Sequence, residues 1–124
     1  MFLMDEFKKR IFVLASSAEI QSSLFPDFTC KGDEMVIDFG EAIECLNKSS
    51  FSIKSIRAIE ALDNYIIANS GEEYKEHYLD NDLLDNSEIW ANIRMLAMDA
   101  LAELGWKYEI PKAGKYKYIG DDGT

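Results

Sequence analysis

Apolar residues recur at spacings of three and four along most of the chain, which is the pattern of amphipathic helices. In the first segment, from Asp5 to Leu24, the recurring positions are Phe7, Ile11, Leu14, Ala15 and Ala18. The Phe25-Pro26 pair should end this segment, because proline cannot continue a helix. The pattern therefore predicts one helix over residues 5–24.

The pattern of the second segment allows either a helix or a strand. Residues 35–39 (MVIDF) contain β-branched side chains that would also suit a strand. When the pattern is followed to Leu46, one helical face collects the apolar residues Met35, Phe39, Ala42, Ile43 and Leu46. We therefore predict a helix from Asp33 to Lys48 despite Gly40 in its interior.

Two later helices carry start and stop signals as well as an apolar stripe. Ser52 is a good N-cap for a helix that the Asn69-Ser70-Gly71 sequence should end. Ser87 is a good N-cap for a helix that Gly105 should end. Between them, residues 72–78 suit a short helix and residues 79–82 a polar turn.

After Gly105 the period changes to two, with Trp106, Tyr108 and Ile110 alternating against polar residues. Residues 106–119 could form a short C-terminal β-hairpin or an extended tail, and residues 120–124 should be frayed. The predicted fold is mainly α, a compact bundle of four to five helices. Residues 1–119 would form a single helical domain.

Composition narrows the classes of partner. The chain has 124 residues, of which 48% are hydrophobic, and it carries 23 acidic against 13 basic side chains for a formal net charge of -10. That field repels nucleic acid and anionic membranes and favours a basic protein. Two cysteines give no disulfide framework, and no apolar run approaches the roughly 20 residues that cross a bilayer. We expect a cytoplasmic protein.

Catalytic and metal motifs are missing from the sequence. His77 is its one histidine, and we expect it to be a solvated surface residue. No serine lies in a G-x-S-x-G elbow. Residues 80–85 begin like a calcium loop but lack the required glycine and the bidentate glutamate. We expect no enzyme activity, no cofactor and no metal, although a carboxylate-based enzyme remains a third hypothesis.

Acidic side chains are concentrated in two places. From Glu72 to Glu88 there are seven acids against Lys75, and the second helix carries three more at i, i+4 and i+7. Like charges at these spacings repel. Tyrosines, which protein interfaces favour, lie among the acids. The candidate partner-binding residues are Glu34, Asp38, Glu41, Glu72, Glu73, Tyr74, Glu76, Tyr78, Asp80, Asp82 and Asp85. A merely solvated surface would give the same pattern.

In size, acidity and helical character the chain resembles the small immunity proteins that bacteria encode beside secreted or contact-delivered toxins. The resemblance also includes residues 25–28 (FPDF), 33–39 (DEMVIDF) and 90–97 (WANIRMLA). It implies a stoichiometric inhibitor that occludes the active site or substrate groove of a cognate, often basic, nuclease. The alternative is a helical adaptor or subunit of a larger assembly, with the segment around Tyr116 and Tyr118 adding to another chain's sheet.

Overall fold

The computed structural model describes residues 2–111, and their side chains from Asp5 onward. Over this range the protein is mainly helical, which confirms the predicted fold class. Seven α-helices are present within it: α1 (Phe2–Ala15), α2 (Ala18–Ser23), α3 (Lys31–Glu44), α4 (Ile53–Ala68), α5 (Glu76–Leu79), α6 (Leu83–Asn86) and α7 (Glu88–Leu104). Two 3₁₀ turns cover Lys48–Ser50 and Glu72–Tyr74. The four long helices form the bundle, and the short ones lie in its connections.

Local capping explains why α4 and α7 begin and end as predicted. The Ser52 hydroxyl accepts a hydrogen bond from the backbone N–H of Ser55 at 3.1 Å. The Ser87 hydroxyl accepts one from Ile89 at 3.1 Å, which satisfies an otherwise unpaired donor of the first turn. Gly105 ends α7 in the left-handed conformation with φ of 74°.

Two hydrogen bonds show that α4 and α7 run antiparallel. Near one end of the pair, the Ser55 hydroxyl donates to the Glu103 carbonyl at 3.1 Å. Near the other end, the Asn92 amide donates to the Tyr65 hydroxyl at 3.0 Å. Helix α1 packs against both α3 and α7. The core therefore lies between α1, α3, α4 and α7.

Aromatic rings fill the centre of this core. Trp90, on the apolar stripe of α7, is completely buried. The rings of Phe7 and Phe39 stack with centroids 6.1 Å apart, and Trp106 meets Phe7 edge-on at 6.2 Å. Because aromatic side chains bury large areas, these contacts contribute much of the hydrophobic stabilisation.

The predicted single helix over residues 5–24 was wrong, because the chain breaks between α1 and α2. The Ser16 hydroxyl donates to the Phe12 carbonyl at 2.8 Å, and the Ser17 hydroxyl accepts from the Ile20 N–H at 3.3 Å. Serine side chains can compete with backbone hydrogen bonds in this way, so the two serines end one helix and cap the next. Helix α3 includes residues 35–39, which excludes a strand there, and it begins and ends earlier than predicted.

The predicted hairpin lies mostly outside the described residues, as does the frayed tail at 120–124. Its described part, residues 106–111, has no regular secondary structure. Two aromatic residues of this part return to the core. Tyr108 meets the Phe12 ring edge-on at 6.0 Å and shares a 2.8 Å hydrogen bond with the Ser16 hydroxyl. Up to Tyr108 the segment is therefore packed on the bundle.

Candidate protein-binding surface

The acidic arm, defined as residues 72–88, connects α4 to α7. It contains the 3₁₀ turn at Glu72–Tyr74 and helices α5 and α6. All seven of its acidic residues are exposed: Glu72, Glu73, Glu76, Asp80, Asp82, Asp85 and Glu88. Lys75 pairs with Glu72 at 2.8 Å on the exposed surface, where such a pair contributes little. The arm thus presents a strongly negative surface to solvent.

Hydrogen bonds from buried groups hold the arm against the bundle. The buried Tyr78 hydroxyl donates to the Asn69 carbonyl at 2.7 Å, and the indole N–H of Trp90 donates to the His77 carbonyl at 2.8 Å. Burial raises the pKa of Tyr78 to about 12. Gly32 of α3 has no side chain at the point where α3 meets Trp90 and the Tyr78 backbone, which permits close approach.

A second set of anchors ties down the α6 end of the arm. Asn81 accepts a hydrogen bond from the Lys31 N–H at 2.9 Å, and its amide donates to the Thr29 carbonyl at 2.9 Å. The Arg94 guanidinium donates to the Leu84 carbonyl at 2.9 Å and to the Gln21 side chain at 3.0 Å. Burial lowers the pKa of Arg94 from its usual value. The arm is therefore held by hydrogen bonds to the start of α3 and to α7, and Gln21 of α2 contacts Arg94.

A groove of about 650 Å³ lies between α2 and the α6 part of the arm. Three carboxylates line it, those of Glu19, Asp82 and Asp85, together with serine and asparagine side chains. No lysine or arginine is among the described residues that line it. This acidic groove has the charge and polarity to receive a cationic side chain of a partner.

The buried ammonium group of Lys31 contacts Ser22, which lines the acidic groove, but it is not exposed to a partner at the surface of the arm. Its Nζ donates to the carbonyl and the hydroxyl of Ser22 and to the Asp27 carboxylate, each at 2.8 Å. The hydrogen bond from Lys31 lowers the pKa of Asp27. Since the Lys31 side chain is only 3% exposed, its donors are already used inside the protein.

The two tyrosines selected as aromatic anchors occupy different environments. Tyr74 is half-buried, so part of its ring is available to a partner. Tyr78 is only 5% exposed and meets the Trp90 ring edge-on at 5.9 Å. This corrects the expectation that Tyr78 is an exposed contact residue, because its ring belongs to the core and its hydroxyl is used by Asn69.

The acidic residues of α3 form a separate patch. Glu34 and Asp38 are half-buried and Glu41 is exposed. Asp38 lies 3.7 Å from the Arg10 guanidinium of α1, whereas α3 meets the arm at Gly32. Six residues along a helix place these two contacts roughly 120° apart around its axis. Arg10 also reduces the repulsion that was expected between the carboxylates of this face. The electrostatic attraction of a cationic partner is therefore weaker here than at the arm.

Two features of the surface carried no usable signal in the sequence. Glu19 was hidden because residues 5–24 were predicted as one helix, whereas it lies in the first turn of α2 and lines the acidic groove. His77 was expected to be a solvated surface residue, but it is half-buried and its Nδ1 lies 2.7 Å from the Ser87 hydroxyl. That hydroxyl caps α7, so His77 supports the junction between the arm and α7.

Within residues 2–111 no cluster of three histidine, cysteine or carboxylate side chains has the arrangement of a metal site. In the same range no helix combines the length and the hydropathy required to cross a bilayer. The chain matches no protein-family model, and no curated protein or solved structure is significantly similar to it.

Proposed function

We propose that this chain is a non-enzymatic binding protein that neutralises a basic protein partner. Its sharpest form is an immunity protein that occludes the active site or substrate groove of a cognate, nuclease-like toxin in the cytoplasm. One observation carries the proposal. Seven exposed carboxylates lie on a segment whose position is fixed by hydrogen bonds. Tyr78 of the segment donates to the Asn69 carbonyl, and Trp90 and Arg94 donate to carbonyls of the segment.

Fixed carboxylates suit a partner that normally binds phosphates. Lysine and arginine side chains of a nucleic-acid groove recognise phosphate oxygens, and carboxylate oxygens can accept the same hydrogen bonds. Because the arm is anchored before binding, little conformational entropy is lost when the complex forms. Complementary charge also accelerates encounter, so the association rate should fall steeply as salt is added.

The acidic groove gives this proposal a specific test. The probe is the protein encoded by the neighbouring open reading frame, and its affinity for the chain is measured by titration calorimetry. The test variant is Glu19→Gln/Asp82→Asn/Asp85→Asn. Among the described residues, none of these three side chains makes a hydrogen bond, but the charge of Asp85 acts on Arg94. Circular dichroism and urea unfolding must therefore show that the variant keeps its fold. Losing three charge contacts of roughly 0.5–1 kcal/mol each predicts an affinity weaker by about 10- to 150-fold.

A matched control removes the same charge elsewhere. Asp5, Glu44 and Glu109 are exposed and are not candidate binding residues, and the variant Asp5→Asn/Glu44→Gln/Glu109→Gln has the same net charge as the groove variant. We expect its affinity to change by less than about threefold, because the loss of overall field affects mainly the association rate. Equal weakening by both variants would assign the effect to net charge and remove the groove from the proposal. Absence of any binding by the unaltered chain would refute the proposed function for this probe.

A further inference from the structure

Helix α7 carries a second apolar stripe on the side facing solvent. Its core side is buried against α1 and α4, but Ala91, Met95, Met98 and Ala102 are all exposed. Met95 is 54% exposed and Met98 44%. The spacing of these residues, i, i+4, i+7 and i+11, is that of the apolar seam by which helices pair in coiled coils. The bundle described by residues 2–111 leaves this seam uncovered.

A groove of about 590 Å³ between α4 and α7 adjoins the stripe. Its centre is formed by small or apolar side chains, including Ala58, Ala61 and Leu96, and Ala102 belongs to both the groove and the stripe. Small residues let the backbone of another helix approach closely. We name the groove and the stripe together the α4–α7 face.

Opposite charges lie on the two sides of this groove. Lys54 and Arg57 project from α4, and Asp99 and Glu103 from α7. All four are exposed, and none has an ion-pair partner among the described residues. The face is thus locally balanced on a chain whose formal net charge is -10.

This charge arrangement selects the partner. A partner of one charge sign, such as a basic protein or a nucleic acid, gains little at this face, because one pair of charges attracts it and the other pair repels it. A second copy of the chain related by a two-fold axis supplies an acidic side for each basic side, and the symmetry repeats every pair. Helices α4 and α7 are 16 and 17 residues long, roughly 24 Å each, which allows several turns of contact. We propose that the α4–α7 face is a self-association surface, through which two copies form an antiparallel four-helix contact.

Charge reversal tests this proposal without requiring knowledge of the individual pairs. The first variant, Lys54→Glu/Arg57→Glu, has acidic side chains on both sides of the groove. The second, Asp99→Lys/Glu103→Lys, has basic ones on both sides. Molar mass is measured for each by sedimentation equilibrium across the micromolar range, and circular dichroism checks that each is folded. Lys107→Glu, at an exposed site outside the groove, is the control for a change of charge.

The unaltered chain and the Lys107→Glu control should be dimeric. Each groove variant should be monomeric by itself, with a dimer dissociation constant at least tenfold higher than that of the unaltered chain. An equimolar mixture of the two groove variants should regain the mass of a dimer. A monomeric unaltered chain throughout this range would overturn the proposal. So would a dimer that both groove variants leave intact, because the contact would then use another face. Neither result bears on the binding of a basic partner by the acidic arm.

Discussion

Gly32 and Gly40 lie in the same helix, and we expect the same substitution to have opposite effects at the two positions. A Cβ built at Gly32 would lie 3.0 Å from Trp90 Cζ2 and 3.1 and 3.2 Å from the Tyr78 Cα and carbonyl oxygen. At Gly40 such an atom would meet nothing within 4 Å. Gly32→Ala therefore inserts a methyl group between α3 and the acidic arm, whereas Gly40→Ala adds one to an open surface.

The structure gives the sign and the size of each effect. Two of the three atoms near Gly32 belong to the Tyr78 backbone, so they cannot rotate away. Overpacking of this kind typically costs about 1–3 kcal/mol. Gly40 is in the helix interior, where replacing glycine by alanine typically stabilises by about 0.5–1 kcal/mol. The free energies of unfolding of the two variants should thus differ by roughly 1.5–4 kcal/mol.

Urea unfolding followed by circular dichroism at the helical band measures both variants against the unaltered chain. Gly40→Ala should shift the midpoint to higher urea and Gly32→Ala to lower urea, with similar slopes. Near-ultraviolet dichroism should also change for Gly32→Ala, because the Trp90 environment is disturbed. A Gly32→Ala variant as stable as Gly40→Ala would show that α3 and the arm are not in close contact, and that α3 does not anchor the arm at this point.

Two further predictions concern the anchors of the arm. Tyr78→Phe removes the hydrogen bond to the Asn69 carbonyl and should lower the free energy of unfolding by about 1 kcal/mol. Burial raises the pKa of Tyr78 to about 12. The contribution of its hydroxyl to the free energy of unfolding should therefore be present below about pH 10 and lost as the pH rises towards 12. The phenylalanine variant should not show this loss of stability at alkaline pH. Ser87→Ala removes the N-cap of α7 and should cost about 1–2 kcal/mol in the same urea assay. Ser17→Ala, at the N-cap of the six-residue α2, should lower the free energy of unfolding by less. An equal loss in the two variants would show that the Ser87 cap is no more important to stability than the Ser17 cap.

Most of the fold could be predicted because its signals are local. Helix α7 has an N-cap at Ser87, an apolar stripe, and Gly105 at its end, and each of these is read from neighbouring residues. The break after Ala15 was missed because the apolar spacing continues across Ser16 and Ser17. What decides the break is the hydrogen bonding of the two serine hydroxyls, which the apolar spacing does not show.

The candidate site could be predicted only in part. Exposed carboxylates from Glu72 to Glu88 were expected, since runs of charge almost always face water. The burial of Tyr78 was not, because the residues that cover it, Trp90 and Gly32, are distant in sequence or on another helix. For the same reason nothing pointed to Arg10 as the group that offsets the charge of Asp38.

The arm has a fixed conformation although its own sequence has little tendency to form one. Helices of four residues, such as α5 and α6, are too short to be stable alone in water, and seven neighbouring carboxylates repel one another. Contacts with residues outside the arm must therefore hold it in place. Trp90 donates a hydrogen bond to the His77 carbonyl, and Arg94 donates one to the Leu84 carbonyl. A solvating surface needs no such fixed geometry, since disordered acids solvate equally well. Fixed repulsive charge is instead what the docking surface that we propose for a cationic partner requires.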